Sequence, residues 1–227
     1  MIGFYNVSKV YSRDSVAVED INIEIKSGEF VSLVGKSGAG KSTLIKLLIG
    51  EERPTKGRVV VDKEEVNKLK VHQLPYLRRQ IGIVFQDFKL LSLKTAYENV
   101  AFALEVEGRS QHEIADLVPQ VLDMVGLSDK INHFPHELSG GEQQRVAIAR
   151  AMIHRPAVII ADEPTGNLDE DNTEEIIRLL SKINELGTTV LLATHNRHVV
   201  NYLNKRVIEL HNGKIVRDEA KGKYHLS

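Results

Sequence analysis

The feature that most constrains the fold is a glycine-rich stretch between an apolar run and a helix-like run. It reads G-x-x-x-x-G-K-[ST] and consists of Gly35, Lys36, Ser37, Gly38, Ala39, Gly40, Lys41 and Ser42. Phe30 to Val34 predicts a short buried strand before it, and Thr43 to Ile49 predicts an apolar helix after it. The glycines therefore fall at a strand-to-helix turn, which is the context that gives this motif its meaning.

A turn of this kind binds phosphate. Successive backbone N–H groups converge on the oxygens, and the following helix presents its positive end. We expect Lys41 to reach the β and γ phosphates of a nucleotide and the Ser42 hydroxyl to bind Mg²⁺. Taken alone, the loop is also compatible with a kinase, a GTPase, a motor or an ordinary glycine-rich turn.

Composition limits the classes of protein that remain. The chain has 227 residues, of which 42% are hydrophobic, so it is long enough for one large domain with a real core. Thirty basic residues face 31 acidic ones, so no overall basic field indicates nucleic acid. The absence of cysteine excludes disulfides, thiolate metal sites and a cysteine nucleophile. No signal-peptide pattern and no apolar run of about 18 residues occur, so we expect membrane contact only through a partner.

Strands and helices alternate along the chain, which predicts an α/β fold with a mainly parallel sheet. Val18 to Lys26 alternates in polarity, as a half-exposed antiparallel edge strand does. The region from Thr95 to Met152 is mostly helical, and we expect a helical subdomain at about 87–153 inserted in a single domain spanning 1–227. Leu69 to Arg79 predicts a further helix, and Asn212-Gly213 predicts a closing hairpin.

Two adjacent carboxylates, Asp162 and Glu163, end an apolar run that begins at Val158. Two such charges at the end of a buried strand are costly unless a cation or a polar opening compensates them. Beside a phosphate loop, Asp162 is a candidate Mg²⁺ ligand, and Glu163 is placed to polarise an attacking water. The alternative is a turn that favours acids, since Pro164 and Gly166 follow.

A second glycine pair stands in Leu138 to Arg145, which reads LSGGEQQR. Ser139 and Glu142 have the S-x-x-E spacing of a capping box, so both have a structural explanation. Gly140 and Gly141 do not, because glycine in a first helical turn costs about 1 kcal/mol relative to alanine. We expect their backbone to approach something closely, and an anion at the helix N-terminus is a candidate.

Together these motifs resemble the ATP-binding cassette (ABC) ATPases over the whole chain. The phosphate loop, a Gln86 loop, LSGGEQQR, IIADEP, GNLD and a late His195 follow one another in the order of that family. The resemblance implies a P-loop NTPase fold of ABC type, with a RecA-like sheet, an antiparallel β subdomain and a helical subdomain. It also implies a homodimer when ATP is bound, with each ATP between the phosphate loop of one copy and the Ser-Gly-Gly segment of the other.

The resemblance further implies roles for individual residues. Tyr11 would stack on adenine, and Asp169 would communicate across the dimer, although it can also cap the next helix. Gln86 and His195 would join Glu163 as catalytic residues, the first through Mg²⁺ and water and the second at the γ-phosphate. The implied ATP-binding residues are Tyr11, Gly35, Lys36, Ser37, Gly38, Ala39, Gly40, Lys41, Ser42, Thr43, Ser139, Gly140, Gly141 and Glu142, and the implied metal ligands are Ser42, Gln86 and Asp162.

Two departures from the commonest family pattern indicate the branch. Glu142 replaces the usual glutamine after Ser-Gly-Gly, and Gly166 to Asp169 reads GNLD rather than SALD. Both are typical of the group of lipoprotein-release, macrolide-export and cell-division ATPases, and Phe85 to Ala101 is most similar to the cell-division members. The resemblance to the cell-division members implies an ATPase at the cytoplasmic face of the membrane that works with an integral membrane subunit, FtsX, and controls peptidoglycan hydrolases.

Other functions remain open. An ATPase of a lipoprotein or macrolide exporter is the first alternative. A soluble cassette acting on DNA or ribosomes is the second, although we find no tandem cassette, coiled-coil insert or basic extension. The third is a nucleotide-gated interaction module with negligible turnover in the absence of its partner.

The apolar residues after Gln86 are candidates for the partner contact. We expect Phe88, Leu90 and Leu91 to line a groove for a short helix of the membrane subunit. Core packing is an equally good explanation for Leu90 and Leu91.

Overall fold

The structure is a computed structural model that describes residues 1–12 and 15–224. The strands are β1 (Ile2–Ser12), β2 (Ser15–Ile25), β3 (Phe30–Val34), β4 (Lys56–Val61), β5 (Glu64–Glu65), β6 (Ile81–Phe85), β7 (Val158–Asp162), β8 (Thr189–Thr194), β9 (Arg206–His211) and β10 (Lys214–Glu219). The helices are α1 (Lys41–Leu48), α2 (Leu74–Arg79), α3 (Ala96–Glu107), α4 (Gln111–Met124), α5 (Gly140–Met152), α6 (Glu170–Glu185) and α7 (Arg197–Leu203).

A six-stranded sheet in the order β10-β9-β3-β8-β7-β6 forms the centre of the molecule. Its strand pairs are parallel, except that β10 returns antiparallel to β9 across the predicted Asn212-Gly213 hairpin. Strands β3, β7 and β8 are apolar and almost wholly buried, as expected for parallel strands covered on both faces. The predicted α/β class with a mainly parallel sheet is confirmed.

The register of this sheet decides where the functional residues emerge. Asp162 on β7 pairs with Phe85 on one side and Ala193 on the other, and Val34 on β3 pairs with Thr194. The carboxyl ends of four parallel strands are therefore level. The loops that follow them leave the sheet at one edge, which is where open α/β sheets place their ligand sites.

A second, antiparallel sheet has the order β2-β1-β4-β5. Its strand β2 lies at the edge and alternates buried Ile21, Ile23 and Ile25 with exposed polar residues. The period-2 pattern in the sequence therefore gave the correct interpretation. This sheet shares a core with α1 and with one face of the central sheet.

The three helices α3, α4 and α5 pack on one another around a separate apolar cluster. Thr95 and Glu98 form a capping box at the start of α3, and Ser110 and Glu113 form one at the start of α4. The last helix, α5, also packs against β6. It therefore connects the helical region to the strand that ends just before Gln86.

The predicted helix from Leu69 to Arg79 is shorter in the structure. Leu69 is extended, a 3₁₀ turn spans Val71–Gln73, and α2 begins only at Leu74. Pro75 explains the late start, because proline lacks an N–H and is tolerated only in the first turn of a helix. Across 1–12 and 15–224, we find no helix with the length and apolar character needed to cross a membrane.

Candidate functional site

The cleft at the carboxyl edge of the central sheet has a volume of about 300 Å³. The structure brings most of the predicted site residues together there. Its lining comprises Ala17, Ser37, Gly38, Ala39, Gly40, Lys41, Ser42, Thr43, Gln86, Asp162, Glu163 and His195.

The glycine-rich loop turns directly into α1. Gly40 caps the helix with φ of 111°, and a Cβ at this position would lie 2.8 Å from the Ala17 carbonyl oxygen. Only glycine fits such a turn without strain. The loop is therefore held closely under β2, and the N-terminus of α1 opens into the cleft.

Lys41 is 7% exposed, yet its ammonium group is well satisfied. Its Nζ donates to the Gly35 carbonyl oxygen at 2.8 Å and lies 3.6 Å from Oε1 of Glu163. A buried lysine needs such partners, because an unpaired charge in a protein interior is costly. The contacts hold the ammonium group between the loop and the carboxylates.

The carboxylate pair occupies the end of β7 as predicted. The pKa of Asp162 is raised, first by burial and then by the neighbouring charge of Glu163. The Ser42 hydroxyl donates to Oδ2 of Asp162 at 3.5 Å, so the hydroxyl and the carboxylate face the same space. A cation bound there would stabilise the ionised form of Asp162.

Glu163 and His195 form a hydrogen-bonded pair. The Nδ1–H of His195 donates to Oε1 of Glu163 at 2.8 Å, and the His195 backbone N–H lies 3.3 Å from Oε2. Because a carboxylate only accepts, Nδ1 carries the hydrogen in this contact. Glu163 has φ of 49°, an uncommon conformation for a residue with a side chain, and its N–H donates to the Ala193 carbonyl. This backbone conformation places the Glu163 carboxylate beside His195, which follows β8.

Gln86 reaches the cleft from the end of β6. Its side-chain amide donates to Oδ1 of Asn167 at 3.1 Å, and Asn167 donates back to the Gln86 carbonyl at 3.3 Å. The two contacts connect the Gln86 loop to the Gly-Asn-Leu-Asp segment. The amide is exposed at the mouth of the cleft, where it can turn towards a ligand.

The Ser-Gly-Gly segment does not line this cleft. Ser139 and Glu142 form the predicted capping box: Oγ of Ser139 accepts from the Glu142 N–H, and Oε2 of Glu142 accepts from the Ser139 N–H at 2.7 Å. That N–H contact is the main reason that the pKa of Glu142 lies below its usual value. At the N-terminus of α5, Gly140 is half-buried and Gly141 is buried, and neither lines the cleft.

The structure gives Gly141 an additional role that the sequence did not indicate. A Cβ at Gly141 would lie only 2.5 Å from Cγ of Asn172, which belongs to α6. Asn172 is in turn fixed by Asp169, which caps α6 and accepts from both the backbone and the side-chain nitrogen of Asn172. The predicted cap at Asp169 is confirmed, and the close approach of backbone at Gly141 occurs within one chain.

Tyr11 also lies outside the residues that line the cleft. It is close to the rim, because its neighbour Val10 pairs with Val16, and Ala17 lines the cleft. Its side chain is 49% exposed.

Comparison with known proteins agrees with this arrangement. The ABC transporter family model matches residues 18–166. The cell division ATP-binding protein FtsE of Mycobacterium tuberculosis is 55% identical over all 227 residues and 99% of its own length. The Bacillus subtilis protein of the same name is 51% identical over 99% of this chain and 98% of its own length, and the Escherichia coli K12 protein is 46% identical over 95% and 97%.

Solved structures give the same result. The dimeric post-hydrolysis structure of the ATP-binding cassette MJ0796, bound to ADP and Pi, superimposes with a TM-score of 0.88 at 40% identity. It covers 99% of this chain and 100% of that one. CbiO1 of Clostridium perfringens, part of the ABC transporter complex CbiONQ, has a TM-score of 0.90 at 32% identity, with 97% and 88% coverage.

The chain belongs to the ABC transporter family. As an ABC ATPase it binds and hydrolyses ATP, and the cleft at the edge of the central sheet contains the expected phosphate loop and carboxylates.

Sequence reasoning missed two residues that organise this ABC ATPase site. Gln144 on α5 is fully buried, and its Nε2 donates to the Pro164 carbonyl at 2.7 Å and to the Phe85 carbonyl at 3.3 Å. Arg150 donates to the carbonyls of Phe88 and Lys89. A signal for Gln144 existed, because it lies three, four and seven residues before the buried Ala147, Ile148 and Ala151, on the apolar face of α5.

Proposed function

We propose that this chain is the ATPase subunit of a cell-division ABC complex. Two copies close head to tail on ATP and reopen after hydrolysis. This movement drives an integral membrane subunit of the FtsX type, which controls peptidoglycan hydrolases. The chain acts at the cytoplasmic face of the membrane, bound there through that subunit. The relatives reported above carry the cell-division name, so the exporter alternative is not favoured.

One observation carries the dimer proposal. The phosphate loop, both carboxylates, Gln86 and His195 line one cleft, whereas Ser139, Gly140 and Gly141 lie outside it. The first N–H groups of a helix have no acceptor within the helix, so its N-terminus suits an anion, and a second copy offers one in its own bound ATP. A C2 pair would place each Ser-Gly-Gly segment over the other chain's cleft. The cassette MJ0796, which is dimeric with ADP and Pi bound, supports this arrangement.

Within each site we assign the phosphates to the loop from Gly35 to Thr43, with Lys41 at the β and γ phosphates. Ser42, Asp162 and Gln86 provide a hydroxyl, a carboxylate and an amide oxygen, which is the donor set that Mg²⁺ prefers. Among the described residues we find no cluster of three or more acidic, His or Cys side chains that would hold a metal by itself. This fits an ion that takes most of its remaining ligands from phosphate and water.

We assign hydrolysis to the Glu163 and His195 pair. Glu163 accepts a proton from the attacking water. At the same time the water oxygen forms a bond to the γ-phosphorus, and the bond between the γ-phosphorus and the oxygen that leaves with ADP breaks. His195 holds Glu163 in place through the 2.8 Å contact. The imidazolium form, which carries a hydrogen on both ring nitrogens, would also donate to a γ-phosphate oxygen. Ser139 to Glu142 contribute from the partner copy. Asp169 carries contacts across the dimer, and Tyr11 stacks on adenine.

The helices of residues 87–153 are proposed to act as one subdomain within a single nucleotide-binding domain. Phe88 is half-buried and Leu91 exposed, and Leu90 packs against the helical core. We therefore assign the groove for the membrane subunit to Phe88 and Leu91, and Leu90 anchors this segment to the helical core.

The direct experiment compares the two adjacent carboxylates. Glu163→Gln is expected to bind MgATP normally, to turn over at least about a hundredfold more slowly and to accumulate as an ATP-bound dimer. Asp162→Asn is the matched control and should weaken binding of MgATP itself, because it removes a metal ligand. Turnover near the native rate in Glu163→Gln would rule out Glu163 as the base.

A further inference from the structure

Lys9 covers one face of the Tyr11 ring. Its ammonium nitrogen lies 4.9 Å from the ring centroid, in the geometry of a cation–π contact. The same nitrogen pairs with Oε2 of Glu52 at 2.7 Å and donates to the Arg53 carbonyl oxygen at 3.0 Å. The Lys9 side chain is only 13% exposed, so these contacts hold it in one position.

The turn that holds Lys9 is also hydrogen-bonded to the strand carrying Tyr11. Thr55 accepts from the Val10 N–H at 3.0 Å through its hydroxyl and donates its own N–H to the Ser8 carbonyl at 2.8 Å. This turn follows α1, the helix that begins at the phosphate loop. The end of β1 is thus fixed to the turn that follows α1, and the N-terminus of α1 opens into the phosphate cleft.

These contacts determine which part of the ring is available. The ammonium group occupies one face, while the side chain as a whole is 49% exposed. The available face belongs to a residue beside the rim of the phosphate cleft. A flat aromatic group that enters with a triphosphate can stack there at little cost in entropy, because the ring is already held.

We propose that Lys9 is a positioning residue for the purine base. It fixes the Tyr11 ring from behind and leaves the front face for adenine, with Glu52 fixing Lys9 in turn. The inference rests on the proposed function, in which Tyr11 stacks on the base, and assigns that site a second residue. Lys9 contributes to recognition of the base and does not contribute to recognition of the phosphates.

The test separates base from phosphates by using two ligands on the full-length chain. MgATP carries both, and magnesium tripolyphosphate carries only the phosphates. Calorimetry would give both dissociation constants for Lys9→Met, Lys9→Arg and Glu52→Gln. Lys68→Met is the matched control, since Lys68 pairs with Glu65 at 2.8 Å in the same antiparallel subdomain.

Lys9→Met should raise the Kd for MgATP about two- to fivefold, the range of a cation–π contact, and leave the Kd for tripolyphosphate unchanged. Lys9→Arg should have a Kd for MgATP closer to the native value than that of Lys9→Met, because arginine also binds aromatic faces. Glu52→Gln should shift the Kd for MgATP in the same direction, and Lys68→Met should shift neither Kd. In a Tyr11→Ala background, Lys9→Met should have no further effect.

Two results would overturn the inference: an unchanged Kd for MgATP in Lys9→Met, or an equal loss for both ligands, which would indicate a general charge or folding effect. A native chain that binds neither ligand would instead overturn the proposed function. The failures are therefore distinguishable.

Discussion

The contact between Gly141 and Asn172 allows a quantitative prediction about the Ser-Gly-Gly segment. An alanine methyl at Gly141 would collide with the Asn172 side chain, which donates to both carboxylate oxygens of Asp169 at 2.9 Å. Overpacking costs about 1–3 kcal/mol, and loss of the amide hydrogen bonds adds about 1 kcal/mol. The better helix propensity of alanine returns about 1 kcal/mol. Gly141→Ala should therefore destabilise the chain by about 2 kcal/mol.

Replacing Asn172 by alanine removes the side chain with which the new methyl group would collide. In Gly141→Ala/Asn172→Ala the methyl has room, so the double variant should be at least as stable as Asn172→Ala alone. This predicts a coupling energy of about 2 kcal/mol between the two sites. Gly140→Ala is the control, because its Cβ would meet the flexible Leu168 side chain at 3.2 Å, and it should show no coupling to Asn172.

Urea unfolding followed by circular dichroism gives these values and suits a chain without tryptophan. A shift of 2 kcal/mol corresponds to about 4–8 °C in Tm for a chain of this size. Purely additive effects of Gly141→Ala and Asn172→Ala would refute the reasoning, since they would show that Asn172 is not what the glycine accommodates.

Two further predictions concern the capping box and the partner groove. Glu142→Gln should lower Tm by about 1–4 °C at pH 7, because it removes a negative charge at a helix N-terminus. The folded-state pKa of Glu142 is lowered, so this stabilisation is present above the ordinary pKa of 4.5 and is lost as pH falls through the lower folded value. Thermal melts should show a constant deficit from pH 7 down to about pH 4.5 and a shrinking deficit as the pH is lowered further, through the folded pKa of Glu142. A deficit that stays constant until the native chain is fully protonated would contradict the charge argument. Phe88→Asp should abolish co-purification with the membrane subunit while MgATP binding persists, whereas Leu186→Asp, on an exposed residue after α6, should change neither. Retained co-purification of Phe88→Asp would argue against the groove.

Much of the site could be predicted because its residues follow strands. Gln86, Asp162 and His195 each come at or just after the end of an apolar run, and parallel strands bring such ends to one edge. That these three side chains lie close together therefore follows from the parallel strand order, which the alternation of strands and helices in the sequence already indicates. The capping box of Ser139 and Glu142 was equally readable, because it depends on spacing within one turn.

Contacts between distant segments could not be predicted in this way. The reason for Gly141 lies on α6, thirty-one positions later at Asn172, and no local pattern connects the two. The burial of Gln144 follows from its spacing on α5, but its hydrogen-bond partners do not, because they are the backbone carbonyls of Phe85 and Pro164 and a backbone carbonyl leaves no mark in the sequence. The late start of α2 has a different cause: Pro75 favours the first turn of a helix, whereas the predicted start at Leu69 followed the apolar spacing of the segment.

The central claim is that each chain carries two halves of different sites, and a complementation assay tests it most directly. Lys41→Ala disables the phosphate loop, and Ser139→Arg disables the segment offered to the partner. Each variant alone should be inactive. An equal mixture should recover about a quarter of the native ATPase rate, because half of randomly formed dimers are mixed and each contains one intact site of two. No recovery, with both variants folded, would contradict a site shared between two copies.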